Sequence, residues 1–302
     1  MKNILIVGTG ALGTMFASRL ALTGAHVTVL GTWKNAIAAL NREGARLVLA
    51  DGSSLCLPVR ATNDPAQCGN VDLALVLVKA WQTARVASQL EQCLPDGAVA
   101  VTLQNGLGNR EILKESLGEA RVVQGVTTSG ATLLGPGLAR MGGEGLVSLG
   151  SHDRSQEVVD LLGKAGFRVE LVPDTQALLW GKLVVNAAIN PLTALLRVPN
   201  GALLERPAAR LVMAALARET ASVASAMGVR LPFDDPVAAA EDVARRTAAN
   251  RSSMFQDVKR GAPTEIDAIC GAVVRAGQFI GMAAPVNWTM WQLLSSIHAG
   301  DE

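Results

Sequence analysis

The sequence predicts an N-terminal α/β domain with a mostly parallel sheet, followed by an all-α C-terminal domain, and three observations carry that prediction. Short β-type runs alternate with helical segments through the first half. Near residue 174 this texture gives way to long Ala- and Leu-rich segments of helical periodicity. The length, 302 residues, is also where a single hydrophobic core stops growing and two domains are favoured. The division is placed at 1–172 and 173–302.

The β-type runs predict strands over 3–7, 26–30, 73–78, 98–103 and 121–127, and the segments between them predict helices over 11–22, 34–42, 80–92 and 110–116. The Gly-rich stretch 130–150 predicts hairpins at the far end of the sheet, and an αβ unit over 155–172 closes the domain. In the second half, helices are expected over 174–189, 207–227, 236–250, 265–281 and 286–298. Pro191, Pro199, Pro232, Pro263 and Pro285 fall at or near the breaks, where a fixed φ and a missing N–H suit starts and ends.

With 27 Lys plus Arg against 26 Asp plus Glu, the charge balance argues against a general nucleic-acid-binding surface. The expected partner is a small molecule, with neither nucleic acid nor membrane; if the chain self-associates, a homodimer is the expected assembly. Glycines cut the apolar run at the N-terminus, so it does not read as a signal peptide. The apolar stretches 71–78 and 183–189 are far shorter than the ~20 residues of a bilayer span. Cys56, Cys68, Cys93 and Cys270 lie far apart, with no CxxC pair and no metal-ligand spacing, and read as reduced packing residues of a cytoplasmic protein.

Gly8-Thr9-Gly10-Ala11-Leu12-Gly13 is a GxGxxG string, which on its own is weak evidence. Its setting strengthens it, because it follows the apolar run 4–7 and opens an Ala/Leu helix, as a Rossmann-type dinucleotide site requires. The first glycine permits the turn, the second lets a pyrophosphate approach the backbone, and the third lets helix and strand pack closely. A site built for NAD would carry a carboxylate after the second strand to bind the ribose diol. Here Leu30 is followed by Gly31, Thr32, Trp33 and Lys34. A hydroxyl and an ammonium suit a 2′-phosphate, so NADP is expected; the alternative for Lys34 is a solvated residue in a first helical turn.

Ligands of open α/β sheets bind beyond the carboxyl ends of the strands, which is where Lys79 and Asn105 fall. A surface lysine and a turn signal explain these two positions equally well. In the segment QALLWGKLVVNAAINPLTALL, Lys182, Asn186 and Asn190 stand four apart, a polar stripe on an otherwise apolar helix. Burying a lysine without partners is costly, so the stripe faces water or a polar cleft. The alternative is a helix edge where Lys182 snorkels and the asparagines help end the helix before Pro191. Further on, Asn250-Arg251-Ser252-Ser253 precedes a stretch in which Thr264 can cap a helix that begins at Glu265. By spacing alone Glu265 is simply a first-turn acid, and the serines could merely end the preceding helix.

Together these strings resemble the ketopantoate reductase family along nearly the whole chain. The matching pieces are GTGALG, LVKAWQT, QNGLGN, GKLVVNAAINPLTALLRVPNG and NRSSMFQDVKRGAPTEIDAICG. The resemblance implies a Rossmann domain joined to an all-helical domain, with NADPH and ketopantoate held between them for reduction to pantoate in pantothenate and coenzyme A biosynthesis. It implies that Lys182 and Glu265 are catalytic and that Asn186, Asn190, Asn200, Asn250, Arg251, Ser252 and Ser253 contact substrate. It places Lys79, Asn105, Ala131 and Glu265 at the cofactor, with Asn105 also near the substrate. In one departure from the family pattern, Gly31 and Thr32 stand where an arginine often follows the second strand. Two alternatives remain: a paralogue acting on another branched 2-keto acid or oxidising a 3-hydroxy acid, and a non-catalytic dinucleotide-sensing regulator.

Overall fold

The protein was analysed as a computed structural model, which describes residues 2–297. The chain divides into two compact units, one comprising residues up to Gln104 with Asn109–Thr175, the other Asn105–Gly108 with residues from Gln176 onward.

In the first unit the strands are β1 (Asn3–Val7), β2 (His26–Leu30), β3 (Ala45–Val48), β4 (Ser54–Leu57), β5 (Arg60–Thr62), β6 (Leu73–Val76), β7 (Val99–Thr102), β8 (Val122–Thr127), β9 (Ala131–Gly135), β10 (Leu138–Met141), β11 (Leu146–Gly150) and β12 (Arg168–Val172). Its helices are α1 (Ala11–Ala21), α2 (Lys34–Glu43), α3 (Thr83–Cys93), α4 (Asn109–Leu117) and α5 (Ser155–Lys164). Eight strands form one sheet in the order β12-β11-β8-β7-β6-β1-β2-β5, parallel except where β11 runs against β8. Both faces of its parallel part carry a buried apolar cluster, as parallel strands require. Along β1, Ile4 and Ile6 enter one buried cluster and Leu5 and Val7 the other, so the strand reads as an unbroken apolar run.

Sequence patterning passed over β3, β4 and β5, and with them a second sheet of four strands in the order β4-β3-β10-β9. The 130–150 hairpin therefore contributes β9 and β10 to this small sheet instead of extending the large one; only β11 joins the latter. The reason is packing: Leu47 and Ala139 of the small sheet are fully buried in one cluster with Met15, Phe16 and Leu20 of α1. A local signal was present in Asp51-Gly52, where Gly52 has φ +85° and Asp51 accepts from the N–H of Ser53.

The second unit is helical, with α6 (Gln176–Leu196), α7 (Pro207–Ala226), α8 (Pro236–Arg246), α9 (Ser253–Lys259), a π-helical turn Asp267–Gly271, α10 (Ala272–Phe279) and α11 (Pro285–Ser296). Four expectations are corrected here. Pro191 does not end its helix: α6 continues to Leu196. A proline inside a helix costs one hydrogen bond, roughly 3 kcal/mol. The flanking Ala187, Ala188, Ile189, Leu192 and Ala194 are all buried in the unit's core, which offsets that loss. The helix expected over 236–250 stops at Arg246, and α9 was not foreseen; Ser252 begins it by accepting from the N–H of Phe255 at 3.0 Å. The helix expected from Glu265 opens as the π turn, with Thr264 accepting from the N–H of Ile266. Finally, α6 is long and apolar enough to cross a membrane by length and composition, unlike its 183–189 portion taken alone, but most of it is buried in this core. The expected end of the last helix, His298, lies outside the described residues.

The cysteines also depart from expectation, since Cys56 is exposed and does not pack. The fold brings Cys68 and Cys93 together, and the hydrogen bond between their thiols, with burial, pushes the Cys68 thiol up.

Candidate active site

In the first unit, β1 lies between β2 and β6, so the loop leaving its carboxyl end sits where the sheet order changes direction. Residues 8–13 form this loop. Gly8 has φ +130°, a conformation that L side chains rarely adopt, and its N–H donates to the carbonyl of Leu30 at 2.9 Å. A Cβ on Gly13 would stand 1.9 Å from the Gly8 carbonyl oxygen, so helix and strand meet there without room for a methyl group. A Cβ on Gly10 would meet nothing within 4 Å. Gly10 precedes α1 and its carbonyl accepts from the N–H of Thr14 at 2.9 Å. Open space in front of a helix N-terminus is what a pyrophosphate needs, so the loop fits a dinucleotide. Ala11 and Leu12 are half-buried behind it.

After β2, a Cβ on Gly31 would stand 2.5 Å from the methyl carbon of Thr9, which is itself buried. The strand end is pressed against the glycine loop, and a side chain at position 31 would need Thr9 to shift. Thr32 and Lys34, next along the chain, are exposed.

A buried polar network that sequence reasoning missed holds the ends of β6 and β7. Gln104 donates to the Val78 carbonyl at 3.1 Å and to the Thr83 hydroxyl at 2.8 Å, while Thr83 bonds Asn109 at 2.8 Å and Thr102 bonds Gln104 at 3.0 Å. The network fixes the chain immediately before Lys79, which is half-buried. Gln104 and Asn109 are the first and last residues of the QNGLGN string, so the motif contained the signal. Ala131 opens β9 and is half-buried against the unit's core.

In the second unit, α6 carries Lys182, Asn186 and Asn190 at successive fourth positions. Glu265, buried just before the π turn, accepts from the side-chain amide of Asn105 at 3.2 Å. Asn105 reaches this partner because its loop is pinned to the same turn. The N–H of Leu107 donates to the Ala268 carbonyl at 3.3 Å, and a Cβ on Gly106, at φ +82°, would stand 2.3 Å from that oxygen. Burial pushes the Lys182 ammonium down to about 8, while the carboxylate of Glu265 pulls it back up. The structure thus groups Lys182, Glu265 and Asn105, which are widely spaced in sequence.

The remaining candidates form a second group. Thr193, one turn beyond the buried Asn190, donates to the hydroxyl of Ser252 at 2.7 Å and joins α6 to the start of α9. Buried Asn200 donates to Thr247 at 2.9 Å, and its backbone N–H donates to the Asn250 carbonyl at 2.9 Å. Asn250 and Arg251 are exposed, with the Arg251 guanidinium 5.7 Å from the Phe255 ring centre; Ser253 is half-buried.

Residues 4–154 match the family model described as Ketopantoate reductase PanE/ApbA, and residues 174–298 match its C-terminal counterpart. The 2-dehydropantoate 2-reductase of Archaeoglobus fulgidus is 36% identical over 305 residues, covering 99% of each chain. Among solved structures, a PanE/ApbA family ketopantoate reductase from Ralstonia eutropha JMP134 superimposes with a TM-score of 0.92 at 30% identity, covering 99% of each chain. A ternary structure of D-mandelate dehydrogenase with NADH and anilino(oxo)acetate also reaches a TM-score of 0.92, at 25% identity and the same coverage. With both units matched and the glycine loop open where a dinucleotide would lie, the chain belongs to the ketopantoate reductase family of NADP-dependent oxidoreductases.

Proposed function

We propose that the chain reduces 2-dehydropantoate (ketopantoate) to pantoate with NADPH, a step of pantothenate and coenzyme A biosynthesis. The observation that carries this reading is the grouping of Lys182 with the buried Glu265 in a chain 36% identical to a 2-dehydropantoate 2-reductase.

When bound, NADPH supplies the hydride. Gly8, Thr9, Gly10, Ala11, Leu12 and Gly13 seat its pyrophosphate, Thr32 and Lys34 meet its 2′-phosphate, and Lys79, Asn105, Ala131 and Glu265 contact the rest. Reduction at C2 leaves negative charge on the keto oxygen. The Lys182 ammonium hydrogen-bonds that oxygen and gives it a proton as the charge develops. At about 8, this group is mostly protonated at neutral pH yet gives up its proton more readily than an exposed lysine. Glu265 orients the ammonium and accepts from a substrate hydroxyl. Asn186, Asn190, Asn200, Asn250, Arg251, Ser252 and Ser253 hold the hydroxyl and carboxylate ends of the substrate, which fixes the attack geometry. We place this reaction in the cytoplasm, on small molecules, with no nucleic-acid or membrane partner.

A second reading, another 2-keto acid on the same machinery, is favoured by the similarity to D-mandelate dehydrogenase. Steady-state turnover of ketopantoate and of the keto acid of mandelate, each with NADPH and NADH, decides between them. Ketopantoate with NADPH should give the highest kcat/KM. A higher value for the other acid would install the second reading, and tight NADPH binding without turnover of either would indicate a dinucleotide sensor.

A further inference from the structure

Trp33 is an aromatic residue that the described roles leave unexplained. It stands at the N-cap of α2, a position that favours Ser, Thr, Asp or Asn because their side-chain oxygens accept from free helical N–H groups. An indole has no acceptor to offer, and no side-chain cap bond forms here; only the Trp33 backbone takes part, its carbonyl accepting from the N–H of Ile37 at 3.1 Å. The side chain is not used for the core either, being 38% exposed. Neither the helix nor the packing calls for a tryptophan at this position.

Its place in the sheet does. The residue after the second strand meets the adenosine ribose of a Rossmann-bound dinucleotide, so the adenine attached to that ribose hangs within one sugar ring of residues 31–34. In this chain the strand end is flush with the glycine loop, because Gly31 abuts Thr9 and carries no side chain. The next large side chain along this stretch is the partly exposed Trp33, which is in reach of a planar base bound there. A half-exposed aromatic ring offers a π-face to a base and needs no hydrogen-bond pairing with it. We propose that Trp33 stacks on the adenine of the bound dinucleotide and supplies base affinity separately from the phosphate contact. This rests on the reading that residues 8–13 seat the pyrophosphate and that Thr32 and Lys34 meet the 2′-phosphate.

The test uses the full chain and two adenine ligands without nicotinamide: ADP, and 2′,5′-ADP, which adds the 2′-phosphate. Affinities by calorimetry should fall about tenfold for both ligands in Trp33→Ala, the scale of one base–aromatic stack, and recover in Trp33→Phe. Lys34→Ala should weaken 2′,5′-ADP only. Indole emission should be quenched by either ligand in the wild type and in Trp81→Phe, and the quench should be lost in Trp33→Phe, which keeps the experiment informative if Trp33→Ala unfolds. Unchanged affinities in a folded Trp33→Ala, or a quench that vanishes with Trp81 and survives without Trp33, would overturn the proposal. A loss confined to Trp33 variants, with Lys34→Ala silent on both ligands, would sustain the stacking and refute the phosphate contact.

Discussion

The glycine loop and the Lys182–Glu265 group, the cofactor and catalytic sites proposed above, are assembled by opposite routes. The loop is made of six consecutive residues, and each of its requirements is local: a positive φ at Gly8, open space at Gly10, a tight contact at Gly13. The lysine group is assembled from α6, a loop near residue 105 and the turn that follows Glu265, and it has meaning only once the helical unit has folded. Short-range sites can be damaged one glycine at a time. Assembled sites fail through the loss of any partner, and that contrast can be tested.

The largest expected effect is on the assembled site. Lys182→Ala should lower kcat by roughly two to four orders of magnitude with NADPH binding retained. Adding Glu265→Ala should cost less than the product of the two single effects, because residues acting as a unit lose most of their contribution at the first removal. Near-normal kcat in a folded Lys182→Ala protein would make the α6 stripe structural.

In the loop, two glycines should separate cleanly. Gly10→Val should abolish cofactor binding while lowering the thermal midpoint only slightly, since nothing lies within 4 Å of its Cβ and the change is confined to the N-cap of α1. Gly13→Ala should instead lower the midpoint, because its methyl group would collide with the Gly8 backbone at a cost of at least ~1–3 kcal/mol. Dinucleotide titration and calorimetric melting of the two variants measure both effects, and equal behaviour of the two would dissolve the distinction.

The pH dependence tests whether the lysine and glutamate act together. kcat/KM for reduction should be level in the neutral range and fall as pH rises through about 8, where the free enzyme's Lys182 loses its proton. Glu265→Gln should move that fall to lower pH, because the carboxylate is what pulls the lysine up. Burial holds Lys182 below its ordinary 10.5, so between about 8 and 10.5 the unfolded chain binds more protons. Lys182 therefore makes folding stability rise with pH over that window. A limb that stays in place in Glu265→Gln would uncouple the pair.

The smallest effect belongs to Ser252→Ala, which removes the cap of α9 and should cost about 1 kcal/mol, read from denaturant unfolding. If substrate KM rises as well, the hydroxyl serves substrate in addition to its cap.

Legibility in the sequence follows the same division. β1 and β2 were read to the residue, because a buried parallel strand bounded by glycines has few competing interpretations. Residues 45–62 were passed over because their strands are three or four residues long and pair with distant partners: β3 with β10, and β5 with β2. Pro191 misled because a breaker is a local signal, whereas the packing that overrides it is tertiary. The i, i+4 spacing revealed the stripe Lys182, Asn186, Asn190, yet no spacing links Lys182 to Glu265 or Asn105. Asn105 stood out only by its place after a strand and Glu265 only as a first-turn acid; their link to Lys182 entered through family resemblance, since their proximity exists only in three dimensions.

The four residues Asn105–Gly108 leave the first unit, press onto the turn after Glu265, and return at Asn109. In modular terms the chain is stitched rather than joined end to end. A cut at residue 175 would strand Leu107 without the carbonyl it donates to and Asn105 without its carboxylate. The dinucleotide unit of this protein therefore cannot be exchanged among relatives as an N-terminal cassette unless the residues that meet the loop, from Glu265 to Ala268, travel with it or already match.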